Sequence, residues 1–466
     1  MTVPIAQWVI AENERPGTLD WILSGYPPAH GLEGYTNKTS APTGGTVEVK
    51  VSTTDTSYRI EAYRMGWYHG KGGRLIAKSP TLTGVVQPAP LVDSALGTVQ
   101  CQWATSWTAD LTGWPPGFYL FRLVSAKNWQ QWIPFVVRSV RSTSAFVLMS
   151  SVTTFQAYNT WGGWSLYKDE GGAAAKRARV VSFDRPIDQS WEQGAADFFG
   201  NEFPVLYDME RHGLDLDYWT DVDLHERGAE LKDHQCLVSL GHDEYWSSEM
   251  RGAAHQAMVA GTNLAFLGAN AIYRKIRFEP SASGQPNRLE VNYKDATDPG
   301  GITSNWASPP ANEPESLLTG STYVSIDAND DLVVVDPKGW FWQGTGVTKD
   351  QHLSLVVQGE YNRFIPGGPG PQNIQLFGHS PITKQHSFSD ITYVTRPGEG
   401  GIISMGMASF VYKMSNSSVI PAPMVPDPIE PTTPILLRAM LNLYGLFGMG
   451  VASATEPSKP NWRNYY

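Results

Sequence analysis

The sequence is poor in cysteine and in positive charge, and it lacks long apolar runs. Its 466 residues include two cysteines, Cys101 and Cys236, and their separation predicts two buried free thiols rather than a disulfide. The net charge of −10 argues against nucleic acid or an anionic membrane as partner, because both recruit clustered Lys and Arg. No run has membrane-spanning length, and the first residues lack signal-peptide features. We therefore expect a soluble, cytoplasmic protein.

Several catalytic motifs are also missing. The sequence has no Walker loop, no dinucleotide-binding fingerprint and no His-Glu-x-x-His zinc motif. Ser239 lies within an apolar run and has no elbow glycines around it, unlike the nucleophile of an α/β-hydrolase. The missing glycine elbow argues against a serine or cysteine nucleophile.

The pattern of apolar residues divides the chain into three predicted parts. Residues 1–140 contain short segments that alternate with period two, which predicts an N-terminal β-sandwich. Residues 141–420 contain apolar runs separated by helical patterns, which predicts an α/β domain with a mostly parallel sheet and β-rich insertions wrapped on it. Residues 421–466 begin with a proline-rich segment and end with a predicted helix at 435–447. The predicted fold class is therefore multidomain α/β plus β.

Polar residues follow two neighbouring strands of the predicted parallel sheet. The run at 236–240 is followed by Gly241-His242-Asp243-Glu244, and the run at 264–267 by Gly268-Ala269-Asn270. Ligands of open parallel sheets bind beyond the carboxyl ends of the strands. His242 and Glu244 are two residues apart, so their side chains project the same way from an extended loop. We predict the functional site here. Taken alone, Glu244 is explained equally well as a helix cap or a salt-bridge partner, and His242 as a structural histidine.

An aromatic, glycine-punctuated loop is predicted at 155–167. It follows the first predicted α/β strand, at 146–149, and should reach the same sheet edge. It carries Tyr158 and Tyr167. Two such tyrosines commonly pack in the protein interior or bind sugars. A tyrosine can also bind ferric iron as a phenolate, since a nearby cation keeps the ligand deprotonated.

Taken together, these motifs resemble the large (β) subunit of N,N-dimethylformamidase and its bacterial relatives. The resemblance covers roughly residues 34–363 and rests on the motifs Tyr63-Arg64-Met65-Gly66-Trp67-Tyr68-His69-Gly70, Ala157-Tyr158-Asn159, Ser165-Leu166-Tyr167, Phe183-Asp184-Arg185-Pro186, Gly241-His242-Asp243-Glu244-Tyr245 and Gly268-Ala269-Asn270. It implies a glutamine-amidotransferase-like α/β domain and a mononuclear non-heme Fe(III) site. The implied metal ligands are Tyr158, Tyr167 and Glu244.

The resemblance also implies the residues that surround the metal. His242 would lie beside the ligands, and Asn270 would donate a hydrogen bond to a developing oxyanion. Glu360 resembles an additional glutamate near the metal and is a candidate general base, with a salt bridge to Arg363 as the alternative.

The resemblance implies an iron-dependent hydrolase that cleaves the C–N bond of a small amide or formamide. Zinc is the alternative metal, although hard oxygen ligands favour ferric iron. The alternative function is a non-catalytic carbohydrate- or surface-binding protein, which 17 Trp and 20 Tyr would suit. The sequence leaves open whether a small partner subunit is needed and whether the chain forms a homo-oligomer.

Overall fold

The computed structural model of the protein describes residues 2–169, 171–294, 297–415 and 432–466. Most of the predicted proline-rich segment therefore lies outside the described residues. The structure is mixed α/β with several sheets. Within the described ranges, no helix is both long enough and apolar enough to cross a membrane.

The first part of the chain consists mainly of short strands, as its alternating pattern predicts. Its elements are α1 (Gln7–Asn13), β1 (Leu32–Thr36), β2 (Ser40–Pro42), β3 (Thr46–Thr53), β4 (Ser57–Met65), β5 (Gly73–Lys78), β6 (Leu82–Thr83), β7 (Leu91–Asp93), β8 (Thr98–Gln100), β9 (Trp107–Asp110), β10 (Gly117–Ser125) and β11 (Gln130–Arg138). One sheet has the order β1-β3-β9 and another the order β2-β11-β10-β4-β5, with β6 paired to β4. Val49 of the first sheet and Phe121 of the second belong to the same apolar cluster.

The next part alternates strands and helices. Its elements are β12 (Phe146–Ser150), α2 (Val152–Tyr158), β13 (Val180–Ser182), α3 (Phe198–Asn201), α4 (Phe203–Arg211), β14 (Leu216–Thr220), α5 (Asp221–Arg227), β15 (Cys236–Ser239), β16 (Tyr245–Ser247), α6 (Ser248–Val259) and β17 (Asn263–Phe266). The Ser247 side chain caps α6 by accepting from the Met250 N–H at 3.2 Å. The predicted first strand and the apolar runs at 236–240 and 264–267 correspond to β12, β15 and β17.

The last part returns to strands before it ends in helices. Its elements are β18 (Arg274–Glu279), β19 (Leu289–Val291), β20 (Ser304–Asn305), α7 (Ser316–Thr319), β21 (Thr322–Val333), β22 (His352–Arg363), β23 (Gln375–Ile382), β24 (Ser387–Val394), β25 (Ile402–Ser404), α8 (Phe410–Lys413), α9 (Thr433–Phe447) and α10 (Ala452–Thr455). Helix α9 confirms the helix predicted at 435–447. Strands β21 and β22 form a long antiparallel hairpin.

The central sheet has the strand order β14-β12-β15-β17-β25-β24-β23. The first five strands of this order pair in parallel, whereas β24 pairs antiparallel with both β25 and β23. This pattern agrees with the predicted mostly parallel sheet. The interpretation of 280–410 as insertions around the core was wrong for β23, β24 and β25, because these strands extend the sheet. They are almost completely buried, and alternation alone does not tell which sheet a strand joins.

The largest apolar core crosses the predicted boundary near residue 140. Met65 and Phe118 of the first part belong to the same cluster as Phe203 of α4 and Leu443 of α9. Both cysteines are buried and free, as predicted. The β-strand part is thus packed firmly on the part that carries the strand ends described next.

Candidate active site

The candidate residues lie beyond the carboxyl ends of β12, β15 and β17, which are neighbours in the central sheet. Tyr158 is the last residue of α2 and not part of a loop, so the prediction of a loop over the whole of 155–167 was wrong at its start. The helix begins directly after β12, where the Ser151 N–H donates to Glu202 Oε1 at 2.9 Å. Helix α2 therefore carries Tyr158 from the strand end to the site.

Tyr158, Tyr167 and Glu244 converge through their oxygen atoms. The Tyr158 hydroxyl donates to Glu244 Oε2 at 2.9 Å, and the Tyr167 hydroxyl donates to the same oxygen at 2.8 Å. The two phenol rings are stacked with centroids 4.2 Å apart. The three side chains expected from the family resemblance to hold a metal are therefore adjacent, although 86 residues separate Tyr158 from Glu244.

Glu244 is a buried carboxylate with cations around it. Its side chain is 1% exposed, and Arg274 Nε lies 3.3 Å from Glu244 Oε1. Burial acts to raise the pKa of Glu244, but His242, Lys294 and Arg274 outweigh it and leave the pKa below its usual value. Its backbone N–H donates to Thr154 Oγ1 at 3.0 Å, which fixes the loop to α2. The carboxylate is therefore held ionised and in place.

His242, Glu360 and Asn270 form a second group next to Glu244. His242 Nε2 lies 2.7 Å from Glu360 Oε2 and 3.4 Å from Glu244 Oε2. Asn270 Nδ2 lies 3.2 Å from His242 Nε2 and donates to Glu360 Oε1 at 3.2 Å. Burial acts to lower the pKa of His242, but the carboxylates, Glu360 first, raise it to about 9. Glu360 thus pairs with His242, whereas Arg363 contacts the rings of Phe388 and Tyr466.

The structure brings all six predicted residues together, and it adds three that the sequence interpretation missed. The Tyr245 hydroxyl donates to the Tyr167 hydroxyl at 2.6 Å, and Lys294 Nζ donates to Tyr245 at 2.6 Å. Arg274, on β18, is the third. Arg274 and Lys294 belong to no catalytic sequence motif. Only their positions in the folded protein identify them as neighbours of the cluster. Tyr245 directly follows the motif and could have been found by position.

The donor atoms suit a hard metal ion. Within the described ranges, no group of three or more His, Cys, Asp or Glu side chains forms a metal site, so any metal here depends on the phenol oxygens. Burial, together with the charge of Glu244, raises the pKa of Tyr158 and of Tyr167 well above its usual value. A nearby cation would reverse this effect. Asn270 Oδ1 is buried and has no hydrogen-bond partner, which leaves an acceptor free beside the cluster.

Most of the tryptophans are buried or half-buried. Four tryptophans are fully buried, namely Trp132, Trp219, Trp246 and Trp306. The most exposed tryptophan is Trp8, at 37%. A carbohydrate-binding face would need several exposed rings, since stacking requires accessible faces. Most of the tryptophan content therefore serves packing.

A buried cluster of phenols, carboxylates and a histidine at the carboxyl edge of a largely parallel sheet defines an α/β protein with an enzyme-type site. The chain matches the family described as N,N-dimethylformamidase beta subunit-like, C-terminal, over residues 59–421. Because this match covers more than half of the chain, the protein belongs to that family. The comparison therefore confirms the family resemblance inferred from the motifs.

Other comparisons add little. No curated protein matches the chain. Among solved structures, an uncharacterized protein from Bacillus anthracis str. Ames is 11% identical over 24% of this chain and 84% of its own, with a TM-score of 0.15. A cycloisomaltooligosaccharide glucanotransferase from Paenibacillus sp. is 9% identical over 67% of this chain and 62% of its own, with a TM-score of 0.18. These TM-scores are too low to carry an argument about fold or function.

Proposed function

We propose that this protein is an iron-dependent hydrolase that cleaves the C–N bond of a small amide or formamide. The observation that carries the proposal is the convergence of the Tyr158 and Tyr167 hydroxyls on one carboxylate oxygen of Glu244. Two phenols and a carboxylate are hard oxygen donors, which favour Fe(III) over zinc. Family membership supports amide hydrolysis, since N,N-dimethylformamidase is named for it.

In this proposal Tyr158, Tyr167 and Glu244 hold the iron. The metal, when bound, supplies Lewis-acid polarisation of the amide carbonyl and a lowered pKa for water. Glu360 accepts a proton from the attacking water, and His242, which its raised pKa of about 9 keeps protonated at neutral pH, donates a proton to the departing amine nitrogen. Glu360 then returns its proton to His242 across their 2.7 Å contact. Asn270 Nδ2, which already lies 3.2 Å from both His242 and Glu360, donates a hydrogen bond to the developing oxyanion.

The finer fold and the partners belong to the same proposal. We propose a β-sandwich and a glutamine-amidotransferase-like α/β domain, supported by the shared core of the first two sheets and by the site at the carboxyl edge of the parallel strands. The beta-subunit-like family supports a partner subunit. The proposed location is the cytoplasm, and the proposed substrate is a small amide or formamide.

The test is iron content and a visible absorption spectrum of the purified protein, measured beside Tyr158→Phe and Glu244→Ala. Near-stoichiometric iron with a phenolate band that weakens in Tyr158→Phe is the expected result. Tyr26→Phe is the matched control, because Tyr26 is 57% exposed and lies outside the cluster. Release of amine from a panel of small amides and formamides would then identify the substrate.

Two results would contradict the proposal. The first is a colourless protein without iron after aerobic loading with the metal. The second is an iron band of equal intensity in the wild type, Tyr158→Phe and Glu244→Ala. Either result would leave the family membership intact and would rule out the iron-dependent mechanism proposed here.

A further inference from the structure

The Tyr167 hydroxyl belongs to a chain of hydrogen bonds that begins outside the expected metal ligands. Lys294 Nζ donates to the Tyr245 hydroxyl at 2.6 Å. Tyr245 donates to the Tyr167 hydroxyl at 2.6 Å, and Tyr167 donates to Glu244 Oε2 at 2.8 Å. The chain therefore connects one expected ligand to two residues that have no part in the proposed reaction so far.

The direction of the contact between the two tyrosines follows from the number of protons available. Each tyrosine hydroxyl carries one proton. Glu244 is held ionised and can only accept, so the proton of Tyr167 points to Glu244. The contact of 2.6 Å with Tyr245 must then use the proton of Tyr245. Exchange of the Tyr167 proton for a metal ion leaves this direction unchanged, because a phenolate can only accept.

Lys294 can donate to Tyr245 in either charge state. Burial lowers the pKa of Lys294 to about 6, although the charge of Glu244 opposes this effect. A neutral amine still carries two N–H hydrogens, so the loss of one proton does not remove the donor. Lys294 Nζ also lies 3.2 Å from the centroid of the Tyr167 ring, which keeps the amine close to both tyrosines.

Tyr245 is fixed in the position from which it donates. Its side chain is fully buried, and its strand β16 pairs with β18 at Arg274. Its carbonyl oxygen accepts from Thr153 Oγ1 at 2.9 Å. Thr153 lies in α2, the helix that also carries Tyr158. The donor and the expected ligands are thus held by the same pair of elements.

The two expected phenolate ligands have different surroundings. The Tyr158 hydroxyl contacts Glu244 Oε2 at 2.9 Å. Among the residues that the structure describes, no side chain outside the expected ligand set forms a hydrogen bond with it. Tyr167 receives the additional bond from Tyr245, at a distance typical of a hydroxyl that donates to an anionic oxygen. Such a bond withdraws electron density from the oxygen that accepts it.

We propose that Tyr245 is a positioning residue that makes Tyr167 the weaker electron donor of the two phenolate ligands. The inference rests on the proposed function, because it requires the iron site. Partners outside the ligand set commonly tune a metal through the ligand that they contact. Less electron density donated by Tyr167 leaves the metal a stronger Lewis acid, and amide polarisation depends on this property. Two ligands of the same residue type therefore have unequal roles.

The test is the visible absorption spectrum and iron affinity of Tyr245→Phe in the full chain. This variant keeps the ring and removes the hydroxyl. Without the hydrogen bond the Tyr167 phenolate is richer in electrons, so its charge-transfer band to Fe(III) should move to longer wavelength. The apparent iron affinity should fall by roughly 10–100-fold, the usual effect of losing such a partner.

Tyr119→Phe is the matched control. Tyr119 is also buried, at 1% exposure, and its hydroxyl donates to the Pro115 carbonyl at 2.7 Å in the β-strand part. Its loss removes a buried hydroxyl of the same kind away from the site. The wavelength of the band should therefore be the same in Tyr119→Phe and in the wild type.

Two further variants separate the proposed role from a structural one. Lys294→Met removes the donor to Tyr245 and keeps the bond from Tyr245 to Tyr167. It should shift the band in the same direction by a smaller amount, since neighbouring hydrogen bonds strengthen one another. In Tyr158→Phe the remaining phenolate band belongs to Tyr167, so the addition of Tyr245→Phe should still shift it.

The possible outcomes distinguish a failure of this inference from a failure of the iron site. A wild-type protein without iron and without a band overturns both. Bound iron with a band at the same wavelength in the wild type and Tyr245→Phe overturns only the role of Tyr245. A shift of equal size in Tyr119→Phe overturns it as well. If Tyr245→Phe does not fold, an unshifted band in Lys294→Met is sufficient to reject the inference.

Discussion

His242 Nε2 lies 2.7 Å from Glu360 Oε2, although 118 residues separate them in the chain. His242 comes from the loop after β15, and Glu360 comes from β22 of the long hairpin. The hairpin therefore completes a site that the parallel sheet begins. If Glu360 is the proton acceptor, its loss should affect turnover and leave metal binding unchanged.

We expect Glu360→Gln to lower kcat by roughly 10²–10⁴-fold, the usual contribution of positioned proton transfer. KM and the iron content should stay close to those of the wild type, because Glu360 is not among the expected ligands. Glu313→Gln is the control, since the Glu313 side chain is 57% exposed. Steady-state kinetics with iron analysis checks this, and an unchanged kcat would remove Glu360 from the reaction.

The loops after β15 and β17 approach each other closely at two glycines. A Cβ added at Gly268 would overlap the Gly241 carbonyl oxygen, and neither backbone can move without shifting His242 or Asn270. We expect Gly268→Ala to cost at least about 2 kcal/mol of unfolding free energy, in the range of overpacking mutations. Urea denaturation measures this change.

Gly252 provides the matched control for Gly268. It lies within α6, and nothing is within 4 Å of a Cβ built there. Gly252→Ala should raise the unfolding free energy by roughly 0.5–1 kcal/mol, because Ala has the higher helix propensity. Equal destabilisation by Gly252→Ala and Gly268→Ala would refute the steric argument.

A buried ion pair joins the β-strand part to the α/β part. Arg64 Nη2 lies 2.7 Å from Glu210 Oε1, and both side chains are fully buried. Glu210→Gln leaves the Arg64 charge uncompensated, so we expect a loss of about 3–5 kcal/mol in unfolding free energy. The double variant Arg64→Met/Glu210→Leu should recover much of this loss.

Urea denaturation followed by circular dichroism tests this pair. Asp327→Asn is the control, because Asp327 and Lys384 form an exposed pair whose loss should leave the urea midpoint nearly unchanged. A double variant that is less stable than Glu210→Gln would show that the pair contributes more than the cost of an unpaired charge.

Glu202 should make stability depend on pH. Burial raises the pKa of Glu202 to about 8, although the N–H of Ser151 and the hydroxyl of Ser150 donate to it. Because the folded pKa lies above the unfolded value of about 4.5, the folded state binds more protons between these two pH values. Stability should therefore fall as pH rises from 5 to 8, by up to about 1.4 kcal/mol per pH unit from this group.

Glu202→Gln isolates the contribution of this carboxyl. Its amide oxygen can accept the same hydrogen bonds, and the side chain does not titrate. The difference in unfolding free energy between Glu202→Gln and the wild type should shift in favour of the variant as pH rises from 5 to 8. A difference that is independent of pH would show that Glu202 is ionised in the folded protein throughout this range.

Local patterns were sufficient to predict much of this protein. Alternation with period two predicted β3 and β4, whose first residues alternate between buried and more exposed positions. Apolar runs predicted the strands β12, β15 and β17, and the helical pattern between the last two runs predicted α6. The motifs at 157–159, 165–167, 241–245 and 268–270 identified the family and five of the six residues of the candidate site. The sixth, Glu360, came from its resemblance to an additional glutamate near the metal. Each of these features depends on residues close together in the chain.

The remaining features depend on contacts between distant segments. The sequence did not predict that β23, β24 and β25 would join the central sheet, because strand propensity does not choose a pairing partner. It predicted a loop where Tyr158 ends a helix, because α2 is short and lacks a clear helical pattern. Arg274 and Lys294 carry no local signal at all. Only tertiary structure decides which charges lie near one another, since electrostatic interactions depend on distance in space and on burial.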